Sequence, residues 1–226
     1  TGITSGTVRK EFQACEEMGL LYRTHGSASQ VSPHVADRSV SQKEEENKEL
    51  KQMIAREAVK WLTANDSVMI ASGSTIYAFA EEIRSPGPLN VVTPSLRVSI
   101  TLNDDENINV IQLGGIIHKK SLSVRGGTQL SQFDQFTCSM LFIGVDGINE
   151  EYGVTTSNLE EAILTQNMMK VCSRTIVLAD STKFAKRGFG RICNLDQIHT
   201  IITDPGISKS QAQKFEEYGI NVIIAG

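Results

Sequence analysis

Seven short runs of the chain, 67–71, 90–92, 109–113, 140–145, 175–179, 200–203 and 221–225, are nearly all apolar and rich in β-branched residues. Runs of that kind predict strands buried on both faces, as in a parallel sheet. The stretches between them are mostly helical in pattern. Leu50, Met53, Ile54, Ala58, Trp61 and Leu62 mark one face of a helix. Glu44, Glu45 and Glu46 stand where a helix N-terminus favours negative charge and read as its solvated start. Ile76, Phe79, Ala80 and Ile83 face inward from a second helix that begins near Thr75. Capping boxes at Ser157-Asn-Leu-Glu160 and Ser208-Lys-Ser-Gln211 start two more, and Gly219 ends the latter. The prediction is an α/β fold, a mostly parallel sheet with helices on both faces, whose strand order the pattern leaves open.

The first 28 residues follow a different plan. Thr4 or Ser5 can cap a short helix whose Val8, Phe12 and Cys15 share one face and which Gly19 can close. A basic two-stranded tip follows. Ser5, Thr7, Arg9 and Lys10 lie at the start of that helix, and Arg23 and His25 in or just after the tip. A helix that enters a DNA major groove reads bases with its N-terminal residues, and nearby cations neutralise phosphates. The plain alternative is a small helix-hairpin with solvated charges. A helix-turn-helix needs an earlier helix to bury its recognition helix, and this chain begins at Thr1. The expectation is therefore a truncated winged helix-turn-helix, with DNA binding a property of the full-length parent. Residues 29–47 lack apolar periodicity and read as a linker. The expected division is 1–28 partial DNA-binding segment, 29–47 linker and 48–226 effector-sensing α/β domain.

Composition narrows the partners. With 226 residues, 40% hydrophobic and 21% charged, the chain is long enough for one sizeable domain and a small appendage. Its net charge of −4 excludes a protein that coats its whole surface in nucleic acid, so DNA contact must be local. No apolar run reaches the roughly 20 residues of a membrane span and no signal-peptide pattern opens the chain, so a cytoplasmic location is expected. Cys15, Cys138, Cys172 and Cys193 are far apart with no paired spacing and read as reduced thiols, not a metal site or disulfide framework. No cofactor and no metal are expected.

The segment from Val68 to Ile83 carries the most informative chemistry. A strand ends at Ala71, a turn of small residues follows and a helix begins near Thr75. Free main-chain N–H groups at that helix start, the hydroxyls of Ser72, Ser74 and Thr75, and the positive end of the helix dipole would hold a phosphate. Gly73 lets the backbone approach closely. A tight strand-to-helix connection without a ligand is the alternative. Ligands in open α/β sheets gather beyond the carboxyl ends of strands, which adds Thr93, Ser95, Gly114, Gly115, Asp146, Gly147, Thr155, Thr156, Asp180 and Lys183. The bland readings are a Lys183 to Asp180 salt bridge, a turn-capping Asp146 and a simple turn at Gly114-Gly115.

Thr7-Val-Arg-Lys-Glu-Phe12 and Met18-Gly-Leu-Leu-Tyr-Arg-Thr-His-Gly-Ser-Ala28 resemble the recognition helix and wing of DeoR-type bacterial transcriptional regulators. The resemblance continues through Ala71-Ser-Gly-Ser-Thr75, Val91-Val-Thr-Pro-Ser95, Leu113-Gly-Gly115, Phe142-Ile-Gly-Val-Asp-Gly147, Gly153-Val-Thr-Thr156, Leu178-Ala-Asp-Ser-Thr-Lys-Phe184 and Ile201-Ile-Thr-Asp204, so it covers nearly the whole chain. It implies a C-terminal domain similar to ribose-5-phosphate isomerase and coenzyme A transferases, which senses phosphorylated sugars or related metabolites, with Ser72 to Thr75 as the phosphate-holding turn. It also implies a homo-oligomeric repressor of carbohydrate-metabolism genes, relieved by its ligand, with no membrane partner. The family often has Asp where this chain has Ala71 and Lys where it has Gln166, and both departures are expected to remove charge from the pocket.

Two other classes compete. A sugar-phosphate isomerase of this fold needs a base near the reacting carbons and a cation or donor for the enediolate. Here Asp146 supplies one acid and Gln166 stands in place of the lysine, so sensing without turnover is the expectation. An interaction domain without a ligand is the third reading, and it predicts no thermal stabilisation by sugar phosphates.

Overall fold

The computed structural model describes residues 21–24, 27–30, 39–85, 87–125 and 133–226. The chain divides into two compact units, Thr1–His34 and Val35–Gly226. In the first unit, β1 (Leu21–Thr24) pairs antiparallel with β2 (Ser27–Gln30), Leu21 opposite Gln30 and Thr24 opposite Ser27. The expected recognition-helix positions Ser5, Thr7, Arg9 and Lys10, and His25 beside the tip, lie outside the described residues; Arg23 stands in β1.

All seven apolar runs form the central sheet of the second unit. These strands are β3 (Ser67–Ile70), β4 (Leu89–Thr93), β5 (Ile108–Gln112), β8 (Cys138–Gly144), β11 (Cys172–Leu178), β13 (Thr200–Thr203) and β14 (Asn221–Ile224). Their order is β14-β13-β11-β8-β3-β4-β5, and every pairing in it is parallel. Alternate residues of one strand feed two separate cores. From β8, Met140 and Phe142 join the cluster under α2 (Lys48–Ala58), α3 (Ser74–Glu82) and α4 (Leu96–Leu102). Leu141 and Ile143 join the opposite cluster, with Ala162 and Met168 of α5 (Leu159–Lys170) and Phe215 of α6 (Lys209–Glu217). That two-sided burial is why the strands read as continuous apolar runs instead of alternating ones. Phe79 of α3 stacks on Phe142 with ring centroids 4.6 Å apart, fastening one helix layer to the middle of the sheet.

Shorter elements decorate this frame. A hairpin of β6 (Ile116–His118) and β7 (Ser123–Arg125) and an antiparallel sheet of β9 (Gly147–Asn149), β10 (Gly153–Thr156) and β12 (Gly190–Cys193) were not read from the sequence. One of the two helix starts read from capping boxes differs from expectation. The helix expected at Ser157 is capped by Asn158, an extended residue just before Leu159 whose side chain accepts from the N–H groups of Glu160 and Glu161. The box at Ser208 forms as expected, and Gly219 closes that region at φ 81°.

The largest difference concerns the stretch read as linker. Residues 40–44 form a helix, α1 (Val40–Glu44), capped by a reciprocal Ser39 and Gln42 box. Five residues cannot sustain a helix alone, and tertiary contacts hold it. Val40 is buried and its N–H donates to the Lys120 carbonyl, while the buried Lys51 ammonium donates to the carbonyls of Lys43 and Glu46 at the open end of α1. Burial pulls the Lys51 pKa below its ordinary value, partly offset by Asp180. Glu44 is therefore no solvated helix start: it ends α1 and pairs with Arg97, whose guanidinium lies 3.6 Å over the Tyr77 ring.

Candidate functional site

The order of strands locates the site. The chain starts in the middle of the sheet at β3, builds outward through β4 and β5, then returns to β8 on the other side of β3 before continuing to β11. Where strand order reverses in this way, the loops leaving neighbouring strands turn to opposite faces and open a crevice beyond their carboxyl ends. A small cavity, with about 50 Å³ of enclosed space and a mouth open to solvent, occupies that place between β3 and β8.

Its floor is the turn after β3. Gly73 caps α3 at φ 121° and ψ 165°, a conformation open essentially to glycine alone, and Tyr77 N–H to Gly73 carbonyl at 2.8 Å closes the first turn. No side chain caps this helix and its first turn holds no acid. The main-chain donors at its start, with the nearly buried Ser74 and Thr75, are thus directed to whatever occupies the cavity, together with the positive end of the helix dipole.

The opposite wall carries acids. Asp146, 5% exposed, accepts from Lys43 Nζ at 2.7 Å through Oδ1, and from the Ser157 N–H at 2.8 Å and the Thr156 hydroxyl at 3.3 Å through Oδ2. Burial alone would raise its pKa, but the Lys43 charge, the hydrogen bond from Lys43 and the Ser157 N–H outweigh it and hold the carboxyl below its usual range. Thr156 also reaches Glu161 Oε2, at 3.4 Å, so one hydroxyl bridges two carboxylates. Glu161 is in turn held by Arg125, a buried guanidinium on β7, at 3.2 Å, and Arg125 binds Glu160 at 3.1 Å as well. Lys183 and Lys43 bring two cations to the lining and Asp146 and Glu161 two anions.

Of the residues expected to bind the effector, Ser72, Gly73, Ser74, Thr75, Asp146, Thr156 and Lys183 line this one cavity. The others have local roles. Thr93 is fully buried and accepts from the Ser95 N–H. Gly115, at φ 152°, turns the chain into β6 beside Gly114. Gly147 lets the Lys186 carbonyl come so near that an added Cβ would sit 2.4 Å from it. Thr155 donates to the Gly147 carbonyl and accepts from the Gly188 N–H. Asp180 caps the turn at Ser181–Lys183 through the Thr182 N–H and accepts from Asn47. Gln166 lies outside the cavity and donates to the Arg191 carbonyl at 2.9 Å, so its uncharged side chain takes nothing from the site. Sequence reasoning missed Val40, Lys43, Ser121, Gly144, Val145 and Glu161. Only Gly144 and Val145 had a signal, their place at the end of an apolar run.

Among the described residues no cluster of histidine, cysteine, aspartate or glutamate is arranged to hold a metal ion, and no helix is long and apolar enough to cross a membrane.

Residues 46–205 match the family of the DeoR C-terminal sensor domain. The chain is 29% identical over 222 residues to the HTH-type transcriptional regulator GlpR of Haloferax volcanii, covering 98% of this chain and 87% of that protein. It is 30% identical over 225 residues to the lactose phosphotransferase system repressor of Lactococcus lactis subsp. lactis, covering 96% and 86%. Among solved structures, ribose 5-phosphate isomerase A of Methanocaldococcus jannaschii superposes with a TM-score of 0.45 at 18% identity, over 61% of this chain and 55% of that one.

Proposed function

Because this chain belongs to the DeoR family of transcriptional regulators, we propose that it represses carbohydrate-metabolism genes and is released from its operator when a phosphorylated sugar or related metabolite fills the cavity between β3 and β8. The observation that carries this reading is the uncapped, acid-free start of α3 at the cavity floor, faced by Lys43 and Lys183. A phosphate there takes main-chain N–H groups, the hydroxyls of Ser72, Ser74 and Thr75, and two ammonium groups. The carboxylates of Asp146 and Glu161, already bridged by Thr156, accept hydrogen bonds from the sugar hydroxyls. Relatives named as repressors support repression, and the cavity supports the ligand class.

Operator binding falls to Ser5, Thr7, Arg9 and Lys10 for the groove and to Arg23 and His25 for the backbone, in a homo-oligomer, dimer or tetramer, that sets paired heads on a pseudo-palindromic site. Coupling runs through α1. Its Lys43 spans from the segment that follows the DNA-binding unit in sequence to Asp146 in the cavity wall. A ligand phosphate competes with Asp146 for that ammonium, so the ligand has a differential affinity for alternative placements of α1, which is what a switch requires.

The isomerase alternative fares worse. Two acids do meet in the cavity, but Asp146 is held ionised by Lys43 and Glu161 is engaged by Arg125. A base for proton abstraction works best with a pKa near the operating pH, and the shift of Asp146 runs the other way. The test is a selection of operator sequences from random DNA by the full-length protein, followed by affinity measurements. Arg9→Ala should weaken operator binding and relax its sequence preference, and sugar phosphate should release the wild type; intact affinity and preference in Arg9→Ala contradict the groove assignment.

A further inference from the structure

Cys138 opens β8 and Cys172 opens β11, and the parallel ladder sets them directly opposite each other. Register partners project from the same face of a sheet: Cys138 belongs to the core cluster beneath α5 and α6 and Cys172 packs against it. Paired strands run about 4.8 Å apart, within the roughly 4.4–6.8 Å between Cα atoms that a disulfide spans. The two sulfurs are in hydrogen-bond contact: Cys172 donates to Cys138, which lowers the Cys138 thiol, while that bond and burial raise Cys172. Cys138 is thus the more readily ionised thiol of the pair, and the thiolate is the reactive form. Cys138 is buried, but Cys172 is partly exposed and lines an open surface cavity with Gln166, Met169 and His199. Cys193 is different, enclosed and pushed up to about 12 by burial.

We propose that Cys138 and Cys172 form a reversible dithiol–disulfide pair, oxidised by a peroxide or a low-molecular-weight disulfide that arrives through the cavity beside Cys172. With hydrogen peroxide, the thiolate attacks one oxygen, the O–O bond breaks, and a sulfenic acid forms as the first water leaves. The second sulfur then displaces the sulfenic hydroxyl, which departs with the remaining proton as a second water, so two thiols and one peroxide give one disulfide and two waters. With a small disulfide, the thiolate expels one half as a thiolate and the second cysteine expels the other. The ladder restrains both backbones around the new bond, so the disulfide departs from relaxed geometry and is readily reduced by thiols, as labile regulatory disulfides are. The pair lies at the amino ends of β8 and β11, whereas Ser72 to Thr75 and Asp146 lie beyond carboxyl ends, so oxidation reaches the domain by a route that the ligand site does not share.

The full chain is exposed to hydrogen peroxide and, in a parallel sample, to oxidised glutathione, its remaining thiols are blocked, and tryptic peptides are mapped without reduction. Trypsin cuts after Lys170, so the two cysteines fall in separate peptides. The expected result is a linked pair of peptides joining Cys138 to Cys172, lost after dithiothreitol, with Cys193 recovered as a blocked thiol. Cys172→Ser should remove the linked pair and leave Cys138 as a blocked thiol, and the wild-type map stands by itself if that variant folds poorly. Recovery of both cysteines as separately blocked or singly oxidised residues, or linkage only to Cys15 or between chains, overturns the proposal.

Discussion

Lys43 and Asp146 are 103 positions apart in the chain and meet at 2.7 Å inside the cavity. The contact joins α1 to the end of the strand at the centre of the sheet. Its lysine side chain is 16% exposed and its carboxylate 7%, so the pair lies between a surface bridge and a buried one. Removing the cation leaves the carboxylate enclosed and uncompensated. Lys43→Met should therefore destabilise the ligand-free protein by about 2 kcal/mol, and Lys43→Met with Asp146→Asn should cost less than the sum of the single changes. Chemical denaturation of the four proteins in a double-mutant cycle measures the coupling; strict additivity contradicts it.

The same pair sets a pH dependence. Asp146 titrates below its unfolded value of 3.8 in the folded protein, so its contribution is complete above that value and is lost as acid carries the pH down through the lower folded pKa. Wild-type stability should fall more steeply than that of Asp146→Asn as the pH drops below about 4. Parallel curves for the two proteins in that range would remove the ion pair from the account.

Gly73 should be intolerant of a side chain for a purely conformational reason. A Cβ there meets no heavy atom within 4 Å, yet φ is 121°. Gly73→Ala is expected to cost about 1–3 kcal/mol and to disturb the turn that presents the α3 donors. Gly147→Ala should be worse, because its Cβ would lie 2.4 Å from the Lys186 carbonyl and the main chain at 186–187 must move. Melting temperatures of the two variants give the order, and equal tolerance of both refutes it.

Thr75 separates binding from folding. Its side chain is nearly buried in the cavity lining, and valine keeps its volume. Thr75→Val should leave the melting temperature of the free protein within a few degrees while weakening the effector about tenfold, or roughly 1.4 kcal/mol for one lost hydrogen bond to a charged group. Titration calorimetry reads the affinity directly, and unchanged binding removes Thr75 from the phosphate loop.

The seven strands were legible because burial on both faces leaves an apolar run that few other elements produce, and the turn at Ser72 to Thr75 was legible because small residues follow such a run and precede a helical pattern. What stayed hidden was set by tertiary contact. Lys43 sits in Gln42-Lys-Glu-Glu-Glu46, a stretch indistinguishable from a solvated one, and only the folded chain aims it at Asp146. Strands of three or four residues such as β6, β7 and β9 are too short to show a period. Glu161 lies one residue past the helix start read at Ser157 to Glu160, and its place in the cavity follows from its contacts with Thr156 and Arg125. Cys138 and Cys172 are unpaired by spacing and opposite by register.

The most direct test is a thermal-shift screen of this chain against sugar phosphates, each beside its unphosphorylated sugar. Stabilisation by one or more phosphorylated sugars alone is expected, about 2.7 kcal/mol at a hundredfold excess over the dissociation constant, falling to about half in Thr75→Val. Equal shifts with the unphosphorylated sugars, or none across the panel, would contradict a phosphate site at the start of α3.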